Sequence, residues 1–290
     1  MSGLSARLVR KLRSVIGVPR TYEESLVGAL VRPGDTVLDV GAHVGSLSLY
    51  LSRIAGPAGK VYAFEPIAPI YELLCVNLRH LRRHDAPVIP QQFGFSDVCA
   101  TATLQVPAGR FGFASLASAT AWSSAVGEHR LESFACRFMT VDTFLQERPA
   151  LEPDFVKIDV EGAELLVLKG ATGMLSRRRP PLMYIEIFAP WERAFGYSPW
   201  EVLGLLARDK YEFLYVCPRG VVAHSPTEAS PFPPEYEQGY NVIAHIPALH
   251  ADRIRSLDRL RYDAARRPYK MEAPIVPNRI AASGDRLTCS

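Results

Sequence analysis

The first candidate for chemistry is a glycine turn with an acid in front of it. Residues 36–45 read TVLDVGAHVG, in which Asp39 ends a short apolar run and Gly41, His43 and Gly45 follow. The next segment, SLSLYLSRI, has helical periodicity, so the stretch predicts a strand, a turn and a helix. Glycine lets backbone approach a ligand closely, and a helix that begins in this turn points its free N–H groups the same way. We therefore expect a ligand at this turn.

A second acid ends the next predicted strand. The run KVYAFEP carries Glu65 and Pro66 at its end, and Glu65 lies twenty residues past Gly45. In a doubly wound sheet, ligands bind at the edge where the strands end, and an acid there suits the hydroxyl groups of a ribose. Two ligands fit this layout: a nicotinamide dinucleotide and S-adenosylmethionine (SAM).

The spacing of the glycines separates the two ligands. The dinucleotide fingerprint G-x-G-x-x-G needs a glycine where this chain has His43, and no third glycine follows Gly45. Asp39 would repel a pyrophosphate, but it suits the cationic amino group and sulfonium of SAM. The residues favour SAM, and a glycine turn without a ligand remains the structural alternative.

More acids follow two later strands. The segment DFVKIDVEGAELLVLKGA has Asp159 at the end of a predicted strand and Glu161 and Glu164 where a helix begins, and LMYIEIF carries Glu186 near its end. Glu161 also suits a helix cap, because the helix dipole favours an acid in the first turn. The ends of parallel strands meet at one edge, so we expect these acids to lie near Asp39.

The rhythm of the chain predicts an α/β fold. From residue 36 onward, apolar runs alternate with amphipathic segments, which is typical of a doubly wound, mostly parallel sheet covered by helices. We predict seven strands with an antiparallel closing strand, because the last two runs are joined without a helical pattern. The strands are expected near residues 36–40, 60–65, 88–93, 154–159, 182–188, 211–216 and 240–246, and the helices near 44–55, 67–82, 162–177 and 199–208.

We divide the chain into three parts. Residues 1–20 carry five basic side chains and no acid, and they predict a basic amphipathic helix that packs on the domain or makes weak peripheral contact with a membrane. Residues 21–246 form the Rossmann-like SAM-binding domain, and residues 247–290 form a charged helix and a flexible tail. An insertion at about residues 94–141 is a candidate lid, with its most interesting members at Phe111, Phe113, Ser115, Leu116 and Trp122.

Charge and composition exclude several classes of protein. The net charge of +3 comes from basic ends around an acidic body, so we expect no nucleic-acid substrate. No uninterrupted apolar run reaches membrane-spanning length, and we expect no transmembrane segment. Five cysteines, at positions 75, 99, 136, 217 and 289, form no C-x-x-C pair and no metal spacing. We therefore expect reduced thiols and a cytoplasmic location.

Four stretches together resemble the FkbM family of SAM-dependent methyltransferases. They are DVGAHVGSLSLYL, VYAFEP, VDTFL at residues 141–145, and VKIDVEGAELLVLKGA followed by PLMYIEI. The first two alone indicate a class I methyltransferase, and KIDVEGAE in register with them is typical of this family. The resemblance spans roughly residues 20–190. It implies SAM as cofactor and O-methylation of a hydroxyl group on a sugar, glycan or secondary metabolite.

The resemblance also implies roles for individual residues. Glu65 would bind the ribose hydroxyls, Ser96 with Asp97 would lie near adenine, and Asp159 and Glu161 would face the transferred methyl group. The resemblance also implies that Asp39, Gly41 and Gly45 surround the methionine part of SAM. The full set of cofactor contacts that we predict is Asp39, Gly41, His43, Gly45, Glu65, Pro66, Ser96, Asp97 and Asp159.

Methyl transfer to oxygen requires alignment and a base. Our hypothesis is that Glu161 or Asp159 is the base or orients the acceptor, with His43 as a second catalytic candidate that is also explained as a locally hydrogen-bonded loop residue. Asp159 also suits Mg²⁺, but no His pair or Asp-Asn pair has ligand spacing, so we predict no metal. A catalytically silent SAM-binding module and an NAD-binding oxidoreductase remain the alternative functions.

Overall fold

A computed structural model describes residues 22–107, 131–217, 220–233 and 239–259 of the chain. In these residues the strands form one eight-stranded mixed sheet, in the order β10-β9-β11-β8-β7-β1-β2-β3, and one three-stranded sheet, in the order β4-β6-β5. The strands are β1 Thr36–Val40, β2 Lys60–Phe64, β3 Val88–Gln91, β4 Gly94–Phe95, β5 Ala100–Pro107, β6 Leu131–Met139, β7 Phe155–Ile158, β8 Leu182–Phe188, β9 Glu212–Cys217, β10 Gly220–Ala223 and β11 Gly239–His245.

Helices cover the large sheet and connect its strands. They are α1 Tyr22–Leu30, α2 Ser46–Ala55, α3 Ala68–Asn77, α4 Val141–Gln146, α5 Glu164–Lys169, α6 Thr172–Leu175, α7 Ala189–Ala194, α8 Pro199–Arg208 and α9 Pro247–Arg255, with short 3₁₀ helices at Leu78–His80 and Ser256–Arg259. In the described part of the chain, none of them is both long and apolar enough to cross a membrane.

The centre of the large sheet is parallel and buried. Strand β1 pairs in parallel with β2 on one side and with β7 on the other, and β7 pairs in parallel with β8. All four residues of β7 are buried, as are the last four of β1. Such apolar runs suit strands covered on both faces. Because these strands are parallel, the segments that follow β1, β2, β7 and β8 meet at one edge.

The predicted α/β class with a mostly parallel sheet is confirmed, and the sheet gains one strand. The seven expected strands all belong to it, and β11 closes it by pairing antiparallel with β8 and β9. The eighth strand, β10, forms a tight hairpin with β9 in which Gly220 pairs with Cys217. The sequence pattern predicts only a connection here, because four residues at an edge show too little periodicity.

The predicted insertion contributes the small sheet. Strands β5 and β6 pair antiparallel along their length, and β4 pairs in parallel with β6. The proposed lid residues, Phe111, Phe113, Ser115, Leu116 and Trp122, lie outside the described residues, as do the N-terminal segment 1–20 and the tail from residue 260. Their roles therefore stay predictions.

One expected helix is divided. Instead of a single helix over residues 162–177, α5 and α6 are separated at Gly170. A Cβ atom at Gly170 would lie 2.1 Å from the backbone oxygen of Ser96, so the chain is pressed against the segment after β4 there. The Gly170 carbonyl also accepts a hydrogen bond from the backbone N–H of Asp142. Helical periodicity continues through this break, which is why the sequence pattern does not reveal it.

The helix after the last strand packs on the domain. Arg253 of α9 forms an ion pair with Asp35, just before β1, and donates to the carbonyl of Leu30 at 2.9 Å. His250 of the same helix is buried and contacts the carbonyl of Pro180 at 3.2 Å. The charged pattern of this segment predicts a solvated helix. Instead, α9 packs against the edge of the sheet at which the parallel strands begin.

Candidate active site

Asp39 is the buried acid of the first strand. It is fully buried near the end of β1, and its Oδ2 accepts a hydrogen bond from the Ser48 hydroxyl of α2. Its Oδ1 accepts no hydrogen bond from the described residues but lies 3.5 Å from the Lys157 ammonium of β7. The carboxylate therefore has one oxygen committed to the protein and one that faces only a cation. Such an oxygen suits a cationic ligand group.

The two glycines of the turn are required by protein contacts. Gly41 and Gly45 both have φ of +80°. A Cβ atom at Gly41 would lie 1.8 Å from the backbone oxygen of Asp159, and one at Gly45 would lie 2.4 Å from Leu74 Cδ1 of α3. We expected the missing Cβ atoms to make room for a ligand, but protein atoms take that room. The contact at Gly41 joins the turn after β1 directly to the segment after β7.

Glu65 fastens the end of β2 to the glycine turn. Its Oε2 accepts from the backbone N–H of His43 at 3.1 Å and its Oε1 accepts from that of Ile67 at 2.9 Å. Burial raises the pKa of Glu65 to about 7, although both hydrogen bonds oppose the rise. Each carboxylate oxygen keeps a second lone pair, so Glu65 can still accept hydrogen bonds from the two hydroxyl groups of a ribose.

The segment after β4 lies next to the end of β2. Pro66 adjoins Gly94 of β4, where an added Cβ atom would lie 3.5 Å from Pro66 Cγ. Ser96 is buried, and its hydroxyl donates to exposed Asp97 at 3.1 Å. The structure thus places the two segments together, and contact with adenine stays a prediction.

His43 is exposed and has a left-handed backbone with φ of +50°. The surrounding protein lowers the pKa of its imidazole, the Lys157 ammonium lowers it further, and Asp159 opposes both. The ring is therefore neutral near pH 7 and able to accept a proton. Its backbone N–H makes the local hydrogen bond to Glu65, so its conformation has a structural cause as well.

Three acids converge at the ends of β7 and β8. One carboxylate oxygen each of Asp159, Glu161 and Glu186 lies within 4.8 Å of the others. Burial would raise the pKa of Asp159, but the Lys157 ammonium, 3.2 Å away, holds it below its usual range. Burial and then the Asp159 charge raise the pKa values of Glu161 and Glu186 well above theirs. This acidic trio therefore contains one carboxyl group whose pKa is lowered by a cation and two whose pKa values are raised by burial and by the neighbouring negative charge.

The segment before α5 separates the two glutamates that follow Asp159. Glu161 lies before the helix with φ of +53°, and the helix begins at Glu164. The Glu164 carboxylate accepts from the backbone N–H groups of Val160 at 3.1 Å and Gly162 at 3.3 Å. Glu164 therefore fixes the conformation of the segment that carries Glu161, and a capping role for Glu161 stays a prediction. The Tyr197 hydroxyl also donates to the Gly162 carbonyl, so the segment is held from two sides.

Lys157 is the residue of this site that sequence analysis missed. It is buried, and its ammonium donates to the carbonyl of Gly41 at 2.8 Å besides pairing with Asp39 and Asp159. Burial disfavours its charge, but the two aspartates outweigh burial and raise its pKa. A signal was present: Lys157 interrupts an apolar strand two residues before Asp159, and residues two apart lie on the same face of a strand.

The acidic trio also bears on metal binding. Carboxylate oxygens at this spacing are ligands that Mg²⁺ accepts. The sequence predicts no metal because it has no pair of candidate ligands at a short, recognisable spacing. The trio has no such spacing, since Glu186 comes from β8 and lies far from Asp159 and Glu161 in the sequence. Lys157 already supplies a positive charge to Asp159, so a cation would have to bind mainly through Glu161 and Glu186.

A parallel sheet with a glycine turn after its first strand and acids along one edge defines a Rossmann-like, class I methyltransferase type of protein. Residues 39–214 match the model of the methyltransferase FkbM domain family, which is more than half of the chain. The chain therefore belongs to the FkbM methyltransferase family, and the resemblance seen in the sequence is confirmed. SAM is the cofactor that goes with this membership.

The chain shares less than a third of its aligned residues with two curated relatives. The chain is 29% identical over 201 residues to the AMB antimetabolite synthetase AmbE of Pseudomonas aeruginosa, which covers 59% of this chain and 9% of AmbE. It is 29% identical over 179 residues to the hexuronic acid methyltransferase AglP of Haloferax volcanii, covering 61% of this chain and 63% of AglP. It thus spans less than two thirds of either relative. A solved FkbM methyltransferase from Methylobacillus flagellatus KT aligns with a TM-score of 0.41 and 16% identity over 73% of this chain and 43% of that one.

Proposed function

We propose that this protein is a SAM-dependent O-methyltransferase that acts on a hydroxyl group of a sugar, a glycan or another small metabolite. One observation carries the proposal: the turn after β1 touches the segment bearing the acidic trio, through the contact of Gly41 with the Asp159 carbonyl. A cofactor at the turn therefore lies beside acids that can take a proton. The family supports methyl transfer, and the relative named as a hexuronic acid methyltransferase supports a sugar acceptor.

The residues fit the cofactor in charge and in hydrogen bonding. Asp39, with its buried Oδ1, suits the cationic methionine end, and the remaining lone pairs of Glu65 suit the ribose hydroxyls. Ser96 and Asp97 are proposed to lie near the adenine. When bound, SAM supplies an electrophilic methyl group on a sulfonium.

The acidic trio divides into two roles. A general base works best when its pKa lies near the working pH, because it is then both ionised and basic. The pKa of Glu161 is raised whereas that of Asp159 is lowered, so we assign Glu161 as the base and Asp159 as the acid that orients the acceptor hydroxyl. With SAM held at the turn, the Glu161 carboxylate would take the proton of the acceptor hydroxyl as its oxygen becomes methylated, and Asp159 would hold that hydroxyl in place. His43 is the second candidate for the base.

The acceptor is proposed to be a small molecule or glycan rather than a nucleic acid, because acids around the site repel phosphate. A cytoplasmic location is supported by Cys75, Cys99 and Cys136, which are free thiols. Weak membrane contact through residues 1–20 stays a prediction, tested by sedimentation with anionic vesicles.

The test is transfer of tritium from methyl-labelled SAM to a panel of polyhydroxylated acceptors. We expect labelled product with the wild-type protein and with Glu72→Gln, a matched change at an exposed glutamate of α3. Asp159→Asn and Glu161→Gln should still bind SAM but transfer the methyl group at least about 10²-fold more slowly. SAM binding with no turnover on any acceptor by the wild type would instead favour the silent module, and retention of a nicotinamide cofactor would favour the oxidoreductase. Activity that is lost in EDTA and restored by Mg²⁺ would favour a metal at the trio.

A further inference from the structure

Lys157 lies between the two halves of the site and contacts both. Its ammonium is 3.5 Å from Asp39 Oδ1 and 3.2 Å from Asp159 Oδ2, and it donates to the carbonyls of Gly41 at 2.8 Å and Val40 at 3.4 Å. Asp39 belongs to β1 and Asp159 directly follows β7, so the pair with Asp159 is local in the sequence whereas the pair with Asp39 joins two neighbouring parallel strands. Among the lysines and arginines in the described part of the chain, Lys157 is the one that forms ion pairs with both aspartates.

The groups that face this ammonium are otherwise acidic. Besides the two aspartates, Glu65, Glu161 and Glu186 each interact electrostatically with Lys157 or with its partners, and the neighbouring His43 imidazole is held neutral. Lys157 is thus a fixed positive charge inside an anionic site. A purely structural cross-link between two strands has no need of a buried charge, because removing a charge from water carries a penalty that its partners must offset.

The charge matters because the cofactor changes its own charge during the reaction. SAM carries a positive sulfonium, and S-adenosylhomocysteine, the product left after the methyl group has gone, has an uncharged sulfur. An anionic site that attracts the sulfonium strongly would stabilise bound SAM more than the transition state, in which this charge is already dispersing, and would slow the transfer. A compensating cation near Asp39 and Asp159 reduces that attraction.

We propose that Lys157 is a positioning residue that holds Asp39 and Asp159 in place and offsets their charge, and so limits the preference of the site for cationic SAM over uncharged S-adenosylhomocysteine. The inference rests on the proposed function, because it assumes that SAM binds at the turn after β1. It goes further by assigning the charge balance of that site to one residue.

The experiment compares the dissociation constants of SAM and S-adenosylhomocysteine by titration calorimetry at pH 8. In Lys157→Met, we expect the dissociation constant of S-adenosylhomocysteine divided by that of SAM to rise about tenfold. This is roughly the effect of one unit charge on another about 10 Å away at a protein-like dielectric constant. Lys157→Arg keeps the charge and should stay within about twofold of the wild-type ratio. Lys60→Met, the same change at an exposed residue where β2 begins, is the matched control and should leave the ratio unchanged.

A structural role would give a different result. If Lys157 only held the strands together, its loss would weaken the binding of SAM and of S-adenosylhomocysteine by the same factor. An unchanged ratio of the two dissociation constants in Lys157→Met therefore overturns the inference. Should that variant fail to fold, Lys157→Met combined with Asp159→Asn removes both members of the pair. Its ratio should exceed that of Asp159→Asn alone by about tenfold, and equality would overturn the inference. A wild-type protein that binds neither ligand would refute the proposed function itself, whereas normal binding with an unchanged ratio refutes only the role of Lys157.

Discussion

The two halves of the site use similar parts in different ways. Each has an acid after a parallel strand and one left-handed non-glycine residue, His43 in the first half and Glu161 in the second. In the first half, the Glu65 carboxylate is held by two backbone N–H groups, that of His43 in the glycine turn and that of Ile67 just before α3. In the second half, the acids of the trio interact with one another and with Lys157. The first arrangement suits rigid cofactor binding, and the second suits acids that must exchange protons.

The largest effect expected from this difference is on turnover in the second half. Glu161→Gln removes the proposed base, and we expect kcat to fall by about 10² to 10⁴ while the dissociation constant of SAM changes by less than about threefold. Single-turnover methyl transfer and calorimetry measure the two quantities, with Glu72→Gln as control. Equal losses in both would show that Glu161 supports the cofactor half instead.

The contact between the halves should dominate stability. Gly41→Ala places a methyl group where only 1.8 Å separates it from the Asp159 carbonyl, at a positive φ, and we expect a loss of about 3 kcal/mol or more in the free energy of unfolding. Gly34→Ala is the matched control, because Gly34 also has a positive φ but nothing lies within 4 Å of an added Cβ atom. It should cost about 1 kcal/mol. Equal losses in urea unfolding would mean that backbone conformation alone, without the contact, explains Gly41.

A smaller effect is expected in the first half. Glu65→Gln keeps an acceptor for only one of the two backbone N–H groups and also weakens the proposed hydrogen bonds to the ribose, so the SAM dissociation constant should rise about tenfold. The rate of transfer at saturating SAM should change little. A fall in this rate with unchanged SAM affinity would assign Glu65 to the methyl transfer itself. It would contradict the proposal that the first half only binds the cofactor.

The smallest effect concerns the buried acids behind the second half. Burial raises the pKa of Glu164 to about 8 and that of Glu192 to about 7. Between the ordinary glutamate pKa and these values, the folded chain binds more protons than the unfolded chain, so stability present at low pH is lost as pH rises.

Glu192→Gln removes one of these groups and keeps an acceptor for the backbone N–H of Phe188. The decrease in unfolding free energy from pH 5 to pH 8 should shrink by about 1 kcal/mol relative to the wild type. Urea unfolding at four pH values measures it, and Glu72→Gln should leave the decrease as it is. An unaltered decrease in Glu192→Gln would show that Glu192 is not a source of the pH dependence.

Local patterns were sufficient for the order of the elements and for the edge on which the acids lie. The run TVLDV followed by a glycine turn and a helix needs only neighbouring residues to be recognised, and Asp39, Glu65 and Asp159 follow from their places at strand ends. Family resemblance added SAM to this reasoning. The same patterns could not show the hairpin of β10 or the break at Gly170, because both depend on what packs against the segment from far away in the chain.

The amino-acid sequence by itself therefore determined the α/β class, the cofactor and the set of acids, since these depend on periodicity, on residue type and on motifs within single segments. Only the tertiary structure decided how the acids are held. It showed that Gly41 meets Asp159, that Glu164 holds the segment that carries Glu161, and that Lys157 joins two strands. The reason is physical: hydrogen bonds, ion pairs and pKa shifts depend on distances between atoms, and the contacts that join the two halves, such as that of Lys157 with Gly41, come from segments more than a hundred residues apart.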